Sequence, residues 1–148
     1  IYVGGGDTIF MGNVWKKYGA DKLLKEAYEK DTAVFMGISA GAICWFACGC
    51  TDSELAEIKP GATYGWANDM LNIHKYAFCP HYEDRVQDFE ELLKEKEQNG
   101  LALESNAAFV EENGSIYYIK SREEARGYLF SYRDGRYEKK ELSLMLVE

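Results

Sequence analysis

The sequence is poor in the residues that several common functions require. It has two histidines and two prolines in 148 residues, and no apolar run approaches the roughly 20 residues of a membrane-spanning helix. No basic and then apolar segment opens the chain as in a signal peptide. Its 17 Lys and Arg face 25 Asp and Glu, a net charge of −8, whereas phosphate binding needs clustered cations. We therefore expect neither a membrane nor a nucleic acid as a partner.

The four cysteines do not form a metal-binding or disulfide pattern. Cys44, Cys48, Cys50 and Cys79 contain no C-x-x-C pair and no zinc-type spacing. A metal site built from Cys79 and His81 would lack two further ligands. We predict buried free thiols in a reducing cytoplasm, with no metal and no organic cofactor.

The length indicates a single domain over residues 1–148, with enough chain to bury a core. Ile1-Tyr2-Val3 has the composition of a core strand, yet no turn, cap or initiator Met precedes it. A domain seldom begins on a bare core strand. We therefore expect that sequence upstream of Ile1 is missing.

The segment around Ser39 has the pattern of a nucleophile elbow. Residues 33–36 form a short apolar run that predicts a buried strand, and it ends in Gly37-Ile38-Ser39-Ala40-Gly41. A helix predicted over residues 40–47 would begin directly after the serine and point its free N–H groups at a developing oxyanion. Small residues on both sides of the serine suit such a strained turn. The alternative is an ordinary strand-to-helix turn, because Gly-x-Ser-x-Gly is common by chance.

A second glycine-rich segment, Gly4-Gly5-Gly6-Asp7-Thr8, follows the first predicted strand. Three successive glycines bring backbone N–H groups close to a ligand, so this loop could complete an oxyanion hole or hold a phosphate. It lacks the Gly-Lys-Ser/Thr ending of a Walker A loop and the third glycine of a dinucleotide fingerprint. The alternative is a turn without a function of its own.

The remaining segments alternate between the two types of secondary structure. Residues 13–18, 21–30 and 85–98 are predicted helices, with Asp21 as an N-cap, and residues 49–69 are a predicted loop. Short strands are predicted at 76–79, 101–103, 107–110, 116–119, 128–132 and 136–140. Asn113-Gly114 and Asp134-Gly135 predict two hairpins. This order predicts an α/β fold with a mostly parallel sheet flanked by helices and with C-terminal β-hairpins.

A nucleophilic Ser39 needs a base, and His81 is the better placed of the two histidines. His81 follows a predicted strand at the sheet edge where α/β proteins build their sites, whereas His74 precedes that strand. Asp52 and Glu54 are the candidates for the orienting acid. We prefer Asp52 because the hydroxyls of Thr51 and Ser53 flank it.

Arg85 follows His81 at the start of a predicted helix, where a cation is unfavourable for the helix dipole. Its planar guanidinium could bind a substrate carboxylate. Pairing with Glu83 or Asp88 is the simpler interpretation.

Four segments together resemble the peptidase E family, the aspartyl dipeptidases of serine peptidase class S51. They are Gly4-Gly5-Gly6-Asp7-Thr8, Gly37-Ile38-Ser39-Ala40-Gly41-Ala42, Thr51-Asp52-Ser53 and Cys79-Pro80-His81-Tyr82. The resemblance implies a flavodoxin-like three-layer sandwich related to class I glutamine amidotransferases. It also implies a catalytic triad of Ser39, His81 and Asp52, with Glu54 as the alternative acid.

Further roles come from the resemblance alone. It implies an oxyanion hole from Gly5 or Gly6 with Ala40, and recognition of a substrate aspartate by Arg85. The substrate would be a dipeptide or short peptide with an N-terminal aspartate, and the family includes monomers and dimers, of which we favour a homodimer.

The chain also departs from the family. The family's glycine loop usually ends in Asn, so Asp7 would add a negative charge near the oxyanion hole unless it points away or pairs with a cation. The family's upstream strands and helices are absent. The open alternatives are a related hydrolase of other specificity, such as a cyanophycinase-like peptidase or an esterase, and an inactive binding or assembly module.

Overall fold

The computed structural model describes residues 1–53 and 64–145, and these divide into two compact units, Ile1–Phe78 and Cys79–Glu148. The elements of the first unit are β1 (Tyr2–Val3), α1 (Thr8–Tyr18), α2 (Ala20–Glu29), β2 (Met36–Gly37), α3 (Ala40–Ile43), β3 (Phe46–Thr51), β4 (Gly65–Ala67) and β5 (His74–Cys79), the last of which ends at the boundary. Those of the second unit are α4 (Tyr82–Lys96), β6 (Gly100–Leu103), β7 (Ala107–Glu112), β8 (Ser115–Lys120), β9 (Gly127–Arg133) and β10 (Arg136–Glu141). None of the helices in these residues is long and apolar enough to cross a bilayer.

In the first unit the strands form two groups. β1 and β2 pair in parallel, with Tyr2 opposite Met36 and Val3 opposite Gly37. β3 pairs in parallel with β5 and antiparallel with β4. The rings of Phe46 and Phe78 stack 4.4 Å apart between β3 and β5 and are almost fully buried. The segments that follow β1, β2 and β3, which contain the candidate site residues of this unit, therefore begin at strands that are held in place by pairing.

In the second unit the strand pairs are antiparallel. β6 pairs with β9, β9 with β10, and β7 with β8. Helix α4 buries a stripe of side chains that includes Tyr82, Arg85, Phe89 and Leu93. The ring of Phe89 meets that of Phe130 edge to face at 5.6 Å. This packing holds the first turn of α4, which follows His81.

Both predicted hairpins are confirmed. Glu112 pairs with Ser115 around Asn113-Gly114, and Arg133 pairs with Arg136 around Asp134-Gly135. In each turn both central residues have positive φ, between 51° and 77°. That is the type I′ geometry, whose twist matches the twist of the flanking strands.

The α/β class is confirmed, but the prediction of a mostly parallel sheet is wrong. Only β1–β2 and β3–β5 are parallel among the strand pairs named above, so the strand pairing is mixed. The predicted loop over residues 49–69 is also wrong at both ends, where β3 and β4 lie. Gly49 lies in β3, and this position requires glycine because an added Cβ would lie 2.7 Å from the Phe78 carbonyl oxygen. A close approach between strands, not a turn, explains this glycine.

Several helix boundaries differ from the prediction. α1 begins at Thr8, because Asp7 caps it, and not at residue 13. The N-terminal neighbour of α2 is Gly19, so Asp21 lies in the first turn and is not the N-cap. α3 ends at Ile43 because the chain enters β3. In α4, Val86 is 40% exposed, whereas Phe89 and Leu93 are fully buried.

Candidate active site

Ser39 lies in the turn between β2 and α3 and has an unusual backbone conformation. Its φ is 54° and its ψ is −119°. This combination lies outside the left-handed helical region and is sparsely populated for residues with a side chain. Strain of this kind persists only where the surroundings impose it, and it is the backbone expected of a nucleophile elbow.

The two glycines of the elbow are required by space. A Cβ on Gly37 would lie 1.9 Å from the carbonyl oxygen of Gly41. A Cβ on Gly41 would lie 2.2 Å from the carbonyl oxygen of Val3 and 2.6 Å from that of Gly4. Because these obstacles are backbone atoms, a side-chain rotation cannot remove them. The first turn of α3 is thus packed directly on the end of β1, and this packing imposes the conformation of Ser39.

The same packing brings the glycine loop to the serine. The position of a Cβ on Gly5 is 3.4 Å from the Cβ of Ser39 and 4.0 Å from its Oγ. Ala40 is the first residue of α3, so its N–H has no acceptor within the helix. The predicted oxyanion-hole residues Gly5 and Ala40 therefore both lie next to Ser39. Since α3 has only four residues, single N–H groups and not a long helix dipole would act on an oxyanion.

The side chain of Asp7 is directed to α1. Its carboxylate caps α1 and accepts the Phe10 N–H at 2.9 Å. The hydrogen bonds from the Phe10 N–H and from Ser53 lower the pKa of Asp7. The charge therefore stabilises the N-terminus of α1, as the capping position favours.

The Thr51-Asp52-Ser53 segment is tied to the same helix end. The hydroxyl of Thr51 donates to that of Thr8 at 3.0 Å, and both residues are fully buried. The Ser53 hydroxyl lies 2.9 Å from that of Thr51 and accepts the Ile9 N–H at 3.3 Å. These two hydroxyls, which we expected to position Asp52, thus bind α1 and each other. Asp52 is exposed directly after β3, and Glu54 lies outside the described residues.

His81, in the second unit, also has positive φ. Its φ of 53° and ψ of 45° lie in the left-handed region, which His tolerates better than most residues do. The described residues include nine non-glycine residues with positive φ, of which six are Asp or Asn and one, Glu97, ends α4. Ser39 and His81 are the two that remain. Since His is itself enriched in the left-handed region, Ser39 is the one of these two that backbone statistics do not account for.

The imidazole of His81 contacts a residue that the sequence did not suggest. Its Nδ1 lies 3.3 Å from the Oγ of Ser105, and the Ser105 N–H lies 3.1 and 3.0 Å from the two carboxylate oxygens of Glu83. Burial opposes the ionisation of Glu83, but the hydrogen bonds from Ser105 and the nearby His81 outweigh it and lower the pKa of Glu83. Ser105 follows β6, far along the chain from His81. Only its hydroxyl, in a polar turn after an apolar strand, could have drawn attention to it.

Arg85 lies in the first turn of α4 and is only 4% exposed. Its guanidinium is therefore held within the protein and not extended into solvent. His74, the alternative base, is the first residue of β5, with its ring 5.0 Å from that of Phe46 and 6.4 Å from that of Tyr28. These aromatic contacts give His74 a packing role in the first unit.

The cysteines are buried and free, as predicted. Burial raises the pKa of the Cys44 thiol, and it raises that of Cys48 to about 11. Such thiols are poor nucleophiles at neutral pH because the thiolate is the reactive form. In residues 1–53 and 64–145 we find no cluster of three His, Cys, Asp or Glu side chains arranged to hold a metal ion.

Within the first unit the structure thus brings Ser39, Gly5 and Ala40 together. A hydrogen bond between the hydroxyls of Thr51 and Thr8 connects the end of β3 to the end of the glycine loop. The family model of Peptidase family S51 matches residues 1–119 of this chain. The chain belongs to peptidase family S51. An uncharacterized peptidase of Bacillus subtilis (strain 168), YgaJ, is 38% identical over 135 residues. That match covers 86% of this chain and 54% of the relative, so the chain spans about half the length of this relative.

Proposed function

We propose that this S51 chain is the catalytic part of a serine exopeptidase that hydrolyses dipeptides or short peptides with an N-terminal aspartate. The observation that supports it most strongly is the backbone of Ser39, with φ 54° and ψ −119° at the end of β2. The close packing of Gly37 and Gly41 maintains this strain, and backbone strain of this kind clusters at functional sites. A strained serine beside a glycine loop is the arrangement that a nucleophile attacking a carbonyl requires.

In the proposed reaction the Oγ of Ser39 attacks the carbonyl carbon of the scissile peptide bond. His81 accepts the hydroxyl proton and then gives it to the leaving amine as the C–N bond breaks. The N–H groups of Ala40 and of Gly5 or Gly6 bind the oxyanion. Water, deprotonated by His81, then attacks the acyl-enzyme, releases the N-terminal residue and restores the Ser39 hydroxyl. An acid orients the imidazole, and Asp52, with Glu54 as the alternative, is the candidate from the sequence.

The preference for aspartate is assigned to Arg85. A buried guanidinium keeps its charge and offers a rigid planar fork for a carboxylate, and Arg85 is 4% exposed. Such a residue would select aspartate over alanine by charge, and over glutamate by distance. The three-layer sandwich of class I glutamine amidotransferases is the fold that we propose for this domain, and the cytoplasm, which suits four free thiols, is the proposed location.

One observation favours a second candidate, an assembly module. Nine of the exposed large apolar residues lie within the first 38 positions, namely Ile1, Tyr2, Phe10, Tyr18, Leu23, Tyr28, Val34, Met36 and Ile38. Exposed apolar surface of this density is typical of a contact with another chain or segment. A homodimer is the assembly that we propose, and an inactive module remains the alternative to an enzyme.

The experiment measures release of free aspartate from Asp-Leu, compared with Ala-Leu and Glu-Leu. We expect cleavage of Asp-Leu alone, loss of cleavage in Ser39→Ala and in His81→Ala, and loss of the aspartate preference in Arg85→Ala. Equal cleavage of all three dipeptides would favour a related hydrolase of other specificity. Full activity in Ser39→Ala would exclude the serine mechanism.

A further inference from the structure

The surroundings of His81 form a short chain of three polar side chains within the second unit. His81 is the residue before α4, Glu83 lies in the first turn of that helix, and Ser105 follows β6. The Nδ1 of His81 is 3.3 Å from the Ser105 Oγ, and the Glu83 carboxylate accepts the Ser105 N–H with both oxygens, at 3.1 and 3.0 Å. The side chain of Ser105 also favours the ionised form of this carboxylate and so helps to lower the pKa of Glu83. One serine thus connects the imidazole to a carboxylate.

The charge of Glu83 decides the direction of these hydrogen bonds. An ionised carboxylate only accepts, so the arrangement in which Ser105 serves both neighbours directs its single hydroxyl proton to Glu83. The Ser105 oxygen then has a lone pair for the imidazole and accepts a proton from it. The neutral His81 is therefore protonated on Nδ1, and its Nε2 has a free lone pair. This is the tautomer that a general base for a serine hydroxyl needs.

The backbone keeps Ser105 in place. The adjacent Glu104 N–H donates to the Arg126 carbonyl at 3.0 Å, and the Glu104 carboxylate accepts the Arg126 N–H at 2.9 Å. Two residues after Ser105, the Ala107 N–H donates to the Glu104 carbonyl at 3.1 Å. On the other side, the Asp84 N–H donates to the His81 carbonyl at 3.1 Å and closes the first turn of α4. Both partners of the Nδ1 contact therefore stand on hydrogen-bonded turns.

We propose that Ser105 and Glu83 are the positioning residues of His81, holding its Nδ1–H through the Ser105 hydroxyl. This proposal rests on the function proposed above, in which His81 is the base. It gives Ser105 and Glu83 the orienting role for which the sequence offered Asp52 or Glu54. A hydroxyl between an imidazole and a carboxylate transmits the charge of the carboxylate more weakly than direct contact does, yet it fixes the same tautomer.

The first test is the tautomer of His81, measured by 15N NMR of the imidazole nitrogens at a pH where the ring is neutral. The chain has only two histidines, and loss of signals in His81→Asn assigns the spectrum. We expect wild-type His81 to be protonated mainly on Nδ1. Ser105→Ala should shift the population toward the Nε2–H form, and Ser105→Thr, which retains the hydroxyl, should keep the wild-type population.

The second test is kinetic, with Asp-Leu as substrate. Ser105→Ala and Glu83→Gln should each lower kcat by about tenfold or more with KM nearly unchanged, because general-base catalysis is impaired and binding is not. Ser105→Thr should restore most of kcat. Asp84→Asn is the matched control, since it removes a second carboxylate from the first turn of α4 without touching the Ser105 contact. It should retain wild-type kcat and the wild-type tautomer.

The results separate this proposal from the proposed function. If Ser39→Ala kept its activity, the serine mechanism would fail, whereas the NMR measurement would still decide how His81 is held. A wild-type tautomer and wild-type kcat in both Ser105→Ala and Glu83→Gln would overturn the positioning role. A tautomer shift in Asp52→Asn but not in Ser105→Ala would also overturn it, in favour of the loop acid.

Discussion

The turns that carry Ser39 and His81 both place a side chain on backbone of positive φ, but for different physical reasons. Around Ser39 the conformation is imposed from outside, because Gly37 and Gly41 pack against backbone carbonyl groups with no room for a Cβ. His81 has an ordinary left-handed conformation at the start of α4 and is held by hydrogen bonds of its backbone and ring. The proposed nucleophile is therefore held in a strained conformation by close packing, and the proposed base is held by polar contacts. Substitutions should affect the two turns differently.

The largest loss of stability is expected in the closely packed turn that carries Ser39. Gly37→Ala should lower the free energy of unfolding by about 3 kcal/mol, because the new Cβ would collide with the Gly41 carbonyl. It should also abolish activity. Gly114→Ala is the control, since its Cβ would meet nothing within 4 Å and only its φ of 77° is unfavourable, which costs about 1 kcal/mol. Urea unfolding measures both, and equal losses would refute the role of close packing.

Replacing Ser39 itself tests the strain. Ser39→Gly should be more stable than Ser39→Ala by about 1 kcal/mol, because glycine adopts φ 54° and ψ −119° without steric cost but loses more entropy on folding. Both variants should be inactive, so the difference reports the backbone alone. If Ser39→Ala were the more stable variant, the turn would not be strained.

At His81 the backbone effect should be smaller. His81→Asn should exceed His81→Ala in stability by about 0.5 kcal/mol, since Asn tolerates the left-handed region and Ala does not. Neither variant should approach the loss in Gly37→Ala. A loss of that size in His81→Asn would mean that the ring, and not the backbone, stabilises this turn.

The smallest expected effect concerns the cap of α1 beside the elbow. Asp7→Asn keeps a capping side chain and removes the charge, so it should cost about 0.3 kcal/mol at pH 7. Because folding lowers the pKa of Asp7, its stabilising contribution is complete above the ordinary value of 3.8 and is lost as the pH falls through the folded pKa. The difference between wild type and Asp7→Asn should therefore shrink between pH 6 and pH 3. A difference that grew on acidification would contradict the assignment.

The sequence was informative wherever a local rule determines the structure. Gly37-Ile38-Ser39-Ala40-Gly41 predicted the turn, and Asn113-Gly114 and Asp134-Gly135 predicted hairpins, because the φ and Cβ requirements of these segments are local. The C-terminal half of β3 was missed because glycine is typical of loops. Gly49 is instead needed in this strand because the Phe78 carbonyl of the neighbouring strand leaves no room for a Cβ. Rules based on local sequence patterns do not take account of contacts with residues that are distant in the chain.

In the candidate site too, features that depend on neighbouring residues in the chain could be predicted, and contacts between distant residues could not. Ala40 could be predicted because it follows Ser39 directly in the chain, whereas the role of Gly5, 34 positions before Ser39, was implied by the family resemblance. Ser105 could not be predicted, because its contact with His81 depends on where β6 ends relative to α4, and no periodicity encodes that distance. For Asp7 the sequence left open whether its charge lies near the proposed oxyanion hole or points away, and the hydrogen bond from the Phe10 N–H, three residues on, shows that its carboxylate caps α1.

The most direct test of the central claim, that Ser39 is a nucleophile activated by His81, is reaction with a fluorophosphonate followed by peptide mass spectrometry. We predict a single adduct on Ser39, no adduct in Ser39→Ala, and a labelling rate reduced by about a hundredfold or more in His81→Ala. Absence of an adduct on Ser39 in the folded wild-type chain, or an unchanged rate in His81→Ala, would contradict the account.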